Sequence, residues 1–169
     1  MEPFKRLLFK KVTNMKIVSG GQTGVDRAAL DAAIECNIEA GGWCPDGRKA
    51  EDGRIADIYP LTELLGAGYR KRTLKNVQDS EGTIIIYFSS LSGGTKLTVN
   101  FCIKENKPHI LIDADKLSES QASEKIISFI AEFEIQILNV AGPRESNEVR
   151  AYSYTKSVIT GLIEKFPNK

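Results

Sequence analysis

Two glycine-rich turns carry the residues of this sequence best suited to chemistry. The first is Ser19-Gly20-Gly21-Gln22-Thr23-Gly24-Val25-Asp26-Arg27, which follows the short apolar run Ile17-Val18 and opens a stretch with helical spacing. The second is Ser92-Gly93-Gly94-Thr95, which follows the β-branched and aromatic run Thr83-Ile84-Ile85-Ile86-Tyr87-Phe88. Glycine permits positive φ and close approach to the backbone. Between a strand and a helix, such a turn aims N–H groups outward at the positive end of the helix dipole. The chemistry implied is capture of a phosphate or another oxyanion. Backbone amides of Gly20–Gly24 and Gly93–Thr95 are expected to hold its oxygens, with Gln22, Thr23 and Thr95 adding side-chain donors. Arg72 and Arg144 can pair with phosphate bidentately, which lysine cannot do. Arg72 stands in the densest basic stretch, with Arg70, Lys71 and Lys75, and Arg27 joins the binding set from the end of the first turn. Asp26 has two open readings. Thr23-x-x-Asp26 fits a capping box, whereas a ligand-facing carboxylate would repel a bound anion.

Elements must bring these turns together. Lys16–Ser19 reads as a first strand and Val25–Asn37 as a helix with an alanine-rich inner side. Ile38–Trp43 reads as a weak second strand. The segment 44–60 holds two Asp-Gly pairs and two prolines, and reads as a flap over the ligand. Leu61–Gly66 reads as a helical turn and Arg72–Val77 as part of a helix. Thr83–Phe88 is the clearest buried strand. A helix over Lys96–Asn106, a strand over Pro108–Ile112, a helix capped by Ser118-x-x-Gln121, a strand over Gln136–Ala141 and a final helix over Val149–Phe166 complete the pattern. Strands alternating with helices predict an α/β fold, a three-layer, doubly wound, mostly parallel sheet of Rossmann-like type in a single domain. Residues 1–14 are set apart as an N-terminal extension, and 15–169 as the ligand-binding domain. The expected strand order is 2-1-3-4-5, which makes Lys16–Ser19 and Thr83–Phe88 neighbours. Ligands in such sheets bind where the winding reverses, outside the carboxyl ends of the strands.

Composition narrows the partners. A net charge of +1 over 169 residues supplies no global field for nucleic acid or an anionic membrane. No apolar run approaches the ~20 residues of a membrane helix. The three cysteines lack C-x-x-C spacing, as expected of free thiols in a cytoplasmic protein without a metal site. The lone His109 is placed as a strand-edge residue.

The glycine pattern is neither a Rossmann G-x-G-x-x-G nor a Walker A motif. It resembles the putative molybdenum carrier family instead. The resemblance rests on Ser19–Asp26, then Gly42-Trp43-Cys44-Pro45-x-Gly47-Arg48-x-Ala50-Glu51-Asp52-Gly53, then Arg72-Thr73-x-x-Asn76-Val77, Gly93-Gly94-Thr95 and Leu138–Ser146. That family is similar in fold to the molybdenum cofactor carrier proteins and groups with the lysine decarboxylase-like phosphoribohydrolases and DNA-processing proteins. The resemblance implies a Rossmann-like domain that binds a nucleotide or a pterin phosphate such as molybdenum cofactor. One departure stands out. The phosphoribohydrolases carry G-G-x-G-T-x-x-E, and Thr98 stands where their glutamate would be. N-glycoside cleavage needs a carboxylate near the ribose, for which Asp26, Glu51, Asp52 and Glu145 are the available substitutes. The expectation is a carrier or binding protein for an anionic small molecule, assembled as a homo-oligomer; a nucleotide hydrolase with the 44–60 segment as its lid is the alternative.

Overall fold

The computed structural model describes residues 14–165 together with Glu2 and Pro3. Nearly all of the expected N-terminal extension lies outside the described residues. In order the chain forms β1 (Lys16–Val18), α1 (Val25–Glu35), β2 (Glu39–Gly41), β3 (Trp43–Pro45), a 3-10 turn (Asp46–Arg48), β4 (Lys49–Ala50), β5 (Gly53–Arg54), β6 (Thr62–Leu64), α2 (Tyr69–Asp79), β7 (Gly82–Tyr87), α3 (Gly93–Lys104), β8 (His109–Asp113), α4 (Glu119–Phe133), β9 (Ile137–Ala141) and α5 (Ala151–Glu164).

Five strands make one sheet in the order β2-β1-β9-β7-β8, every pair parallel. The three-layer α/β architecture is as expected; the order is not. The expected contact of β1 with β7 is absent, because β9 lies between them. Its Leu138 aligns with Ile17 on one side and Gly82 on the other. Burial explains the placement. Leu138, Asn139 and Val140 are all buried, as are Thr83 to Ile86 of β7. By contrast β2 exposes Glu39, and only Ile112 of β8 is fully covered. The partly covered strands take the edges.

Alternation along β7 separates the layers. Ile84 and Ile86 enter the large core with Ile17, Leu138 and the apolar sides of α1, α4 and α5. Ile85 points the other way, toward Val77 of α2 and Phe101 and Cys102 of α3. Ala28, Ala29, Ala32 and Ala33 of α1 are completely buried, so the helix lies close to the sheet. Ser118 caps α4 as expected: its hydroxyl accepts from the Gln121 amide, and the Gln121 side chain accepts from the Ser118 amide.

The segment expected as a flap folds into a small lobe with its own core of Cys44, Ile55, Tyr59 and Leu61 against Leu30 of α1. The expected helical turn at Leu61–Gly66 is instead β6, which pairs in parallel with β3. The expected strand Ile38–Trp43 divides at Gly42, whose φ of 123° brings its backbone against Ser19. Arg48 holds the lobe. Its buried guanidinium donates to the carbonyls of Ile55, Ala56, Tyr59 and Leu61 at 2.8–3.1 Å. Those carbonyls belong to an irregular loop and have no strand partner there, so a guanidinium with five donors replaces a sheet edge.

Glu51 then fastens the lobe to the main domain. It accepts hydrogen bonds from the hydroxyl of Thr23, from the Ser146 amide at 3.1 Å and from the Ser146 hydroxyl at 2.5 Å. Arg144 lies 3.8 Å away. Burial works against this carboxylate, but the bonds from Ser146 and Thr23, together with Arg144, outweigh it and hold its pKa below the ordinary value.

Two outcomes are expected. Arg48→Met leaves the Ile55 and Leu61 carbonyls without a backbone donor, those of Ala56 and Tyr59 keeping the Tyr59 and Leu61 amides, and should cost at least about 2 kcal/mol in denaturant unfolding, at about 1–3 kcal/mol per unsatisfied buried group. Glu51 should stabilise the fold fully above the usual carboxylate pKa of 4.5. That contribution is lost as pH falls through its lowered folded-state value. The stability gap between wild type and Glu51→Gln, followed by unfolding from pH 7 to pH 3, should therefore be flat near neutrality, shrink below about pH 4.5 and vanish in stronger acid.

Candidate functional site

A cavity of about 180 Å³ opens at the carboxyl end of the sheet, over the end of β9. Three walls meet there. Gly20, Gln22 and Asp26 come from the first glycine turn and α1; Tyr87, Phe88 and the start of α3 from the β7 side; Tyr69 and Arg72 from α2. Although β9 separates β1 from β7, it is a single strand wide, so the two turns face each other across about 10 Å. The central place of β9 also brings Gly142, Pro143 and Arg144 into the cavity wall.

Of the residues expected at the site, Gly20, Gln22, Asp26, Arg72, Gly94, Thr95 and Arg144 line the cavity, whereas Gly21, Thr23, Gly24, Arg27 and Gly93 do not. Four of the latter, all in the first turn, have a structural reason for their place. A β-carbon at Gly21, where φ is 77°, would lie 2.5 Å from Leu61 and 3.0 Å from Ile55, in the core of the lobe. One at Gly24 would lie 2.5 Å from the Pro143 carbonyl. Thr23 donates to Glu51 and accepts from the Glu145 amide at 3.2 Å. Arg27 braces the turn from behind, with two nitrogens on the Gly21 carbonyl at 3.0–3.1 Å and two on Asp52 at 3.0–3.2 Å.

The two turns differ in what they leave open. In the first, the Gly21 amide points at the Ser19 hydroxyl (3.4 Å), Gln22 at Asp26 (3.3 Å), Thr23 at the Gln22 side-chain oxygen (3.0 Å) and Val25 at the Pro143 carbonyl (3.2 Å). The capping box is not formed: Gly24 is the N-cap of α1, with no side-chain cap bond, and Asp26 reaches back into the turn. In the second turn, α3 begins at Gly93 with no side-chain cap. Among the described residues, the amides of Gly93, Gly94 and Thr95 find no acceptor. This is the ordinary state of a helix N-terminus awaiting water or a ligand.

Two residues of the cavity wall also hold buried donors without acceptors. Gln22 is fixed by its own oxygen, which accepts from the amides of Thr23 and Glu51 at 3.0 and 2.9 Å. Its Nε2 is thereby turned the other way, buried and unpaired. Arg72 gives Nη1 to Asp26 at 3.3 Å, and its Nε is unpaired. The guanidinium lies so close to Gly20 that a β-carbon there would fall 2.0 Å from Nη1. Gly20 is required for Arg72 to lie where it does.

Asp26 and Glu148 are the carboxylates in the cavity wall among the described residues. Burial pushes the Asp26 carboxyl above its ordinary range, against the pull of Arg72, the amides of Gln22 and Gly20, and Arg27. Glu148 accepts from Arg150 at 2.8 and 2.9 Å, and this holds its pKa down. Glu51, Asp52 and Glu145 stand outside the cavity, and Thr98 lines it without a carboxylate. The sequence reading missed Tyr69, which carries the guanidinia of Arg72 and Arg144 5.8 and 5.5 Å from its ring centre. It also missed Glu148, for which adjacency to the Gly142–Ser146 motif was the available signal. Among the described residues no group of three His, Cys, Asp or Glu side chains converges on a metal position. No helix among them is long and apolar enough to cross a membrane.

Comparison with known proteins agrees with this geometry. Residues 17–163 match the model of the circularly permutated YpsA SLOG family. The crystal structure of a putative molybdenum carrier protein from Syntrophus aciditrophicus SB is 46% identical, with a TM-score of 0.86 over 88% of this chain and 94% of that one. A second solved structure, (E)-4-hydroxy-3-methyl-but-2-enyl diphosphate reductase, aligns with a TM-score of 0.37 and 12% identity over 94% of this chain and 66% of that one, too slight a likeness to carry an argument. No curated protein matches the chain. With a family match spanning the whole sheet and a close relative sharing nearly half its residues, the chain belongs to the circularly permutated YpsA SLOG family, the group of the putative molybdenum carrier protein.

Proposed function

We propose that this protein is a small-molecule carrier that binds an anionic, phosphate-bearing ligand in the cavity over β9. The observation that carries the reading is the set of donors without acceptors. The Gln22 Nε2 and Arg72 Nε are buried and unpaired opposite the uncapped start of α3. Buried donors without partners are costly, and a tetrahedral oxyanion would satisfy them together with the Gly94 and Thr95 amides. A cavity of about 180 Å³ holds such an anion easily, since one water occupies ~30 Å³ of liquid. The relative's name points to molybdenum cargo. Molybdate, the phosphate of a pterin cofactor and that of a nucleotide all present the same cluster of anionic oxygens.

A nucleotide hydrolase is the second reading. It is favoured by one observation, the buried Asp26 carboxyl in the cavity wall with its raised pKa, as acid–base groups often have. Its engagement with Arg72 and the turn amides, and the threonine at position 98, weigh against it.

Gly94 gives the clean test. A β-carbon there meets nothing within 4 Å, and its φ is not positive, so the fold tolerates a side chain that the ligand would not. In calorimetric titrations with phosphate, molybdate, AMP and a pterin phosphate, wild type should bind at least one of them. Gly94→Val should lose at least tenfold in affinity while its melting temperature stays close to that of wild type. Equal responses of the two proteins to every probe would sink the reading. Release of free base from AMP would favour the hydrolase.

A further inference from the structure

The first glycine turn already holds a carboxyl group of its own. Asp26 is buried, and its carboxylate accepts from the Gln22 amide at 3.3 Å, draws on the Gly20 amide and pairs with Arg72 at 3.3 Å. These are the contacts a bound phosphate would make at that turn: backbone amides beside a guanidinium, at the start of a helix. The amides of Gly21, Thr23 and Val25 are directed to Ser19, Gln22 and Pro143. The uncapped start of α3 lies across the cavity, and Gln22 Nε2 and Arg72 Nε are the buried donors without acceptors on the facing walls.

We infer that Asp26 is a resident carboxylate that blocks a second phosphate position, so that the site accepts ligands with one phosphate and rejects those with two adjoining ones. This rests on the anion site proposed above and names its selectivity. The charges in the wall agree. Arg72 and Arg144 are positive, Asp26 and Glu148 negative, and among the described residues no lysine lines the cavity. Glu148 is held by Arg150, and Arg144, over Tyr69, stands 3.8 Å from Glu51, whose carboxylate answers its charge. Arg27, the other cation near Asp26, is committed to Gly21 and Asp52. A diphosphate would place its second phosphoryl group against Asp26 with only Arg72 between them, in a low-dielectric cavity where repulsion is weakly screened.

The experiment compares single with paired phosphates on the same protein. Dissociation constants are measured by calorimetry for phosphate against pyrophosphate and for AMP against ADP. Wild type should favour the single phosphate at least tenfold in each pair. Asp26→Asn keeps the shape and removes the charge, and Asp26→Ser also makes room; in both, the preference should fall below threefold or reverse. Wild type binding pyrophosphate or ADP as tightly as its partner overturns the inference without any variant. So does an unchanged preference in a folded Asp26 variant. If none of the four probes binds wild type, this selectivity falls; the anion site itself falls only if molybdate and the pterin phosphate fail as well.

Discussion

The contact of the Arg72 guanidinium with Gly20 and Asp26 is the interaction on which the site depends. Arg72 comes from α2, and Gly20 and Asp26 from the junction of β1 and α1. The guanidinium reaches the carboxylate only because residue 20 has no side chain. A buried charge of either sign left alone would cost several kcal/mol, so each fixes the other. The pair thereby pins α2 over the open end of the sheet and forms one wall of the cavity. It also leaves one guanidinium nitrogen unpaired. The same contact thus closes the fold and keeps the site receptive.

Around this pair the chain uses three ties between distant segments. Glu51 joins the lobe to Thr23 and to Ser146. Arg27 joins the first turn to Asp52. Asp31 accepts from both Tyr59 of the lobe and Tyr152 of α5, at 2.7 and 2.6 Å. The first two tie the glycine turn to segments on either side of it, so its backbone is set by tertiary contacts more than by local preference. That is why its amides are directed inward, while those of the second turn, which has no such ties, are left at the cavity.

The elements of the main sheet and its helices were largely legible in the sequence, whereas those of the lobe, β6 among them, were not. Ile84-Ile85-Ile86, the alanine face of α1 and the Ser118–Gln121 box each encode a local decision that the structure repeats. The order of the strands was not legible, because an apolar run states that it is buried and not beside what. Asn139 held a clue. A buried asparagine in a strand needs a partner, and it donates to Thr83 across the β9–β7 pair at 3.3 Å. At the site, the glycines of the first turn were legible as special positions, but not what they face: Gly21 accommodates Leu61, Gly24 accommodates Pro143, and Gly20 accommodates Arg72. The burial of Arg48 left no trace in the sequence, since its four acceptors are backbone carbonyls that any residue carries.

The position of β9 also has a consequence for how the molecule comes into being. On the ribosome β1 and β7 are made long before Ile137–Ala141, and Lys16, paired on one side with Glu39, must wait for its second partner 121 residues further along. Until then the nascent chain has two half-sheets, each with an unpaired inner edge, the kind of surface that recruits other chains. At about 5–20 residues per second of synthesis, this interval lasts several seconds. The cavity forms only when β9 arrives, so a chain truncated or stalled before Ile137 lacks it altogether.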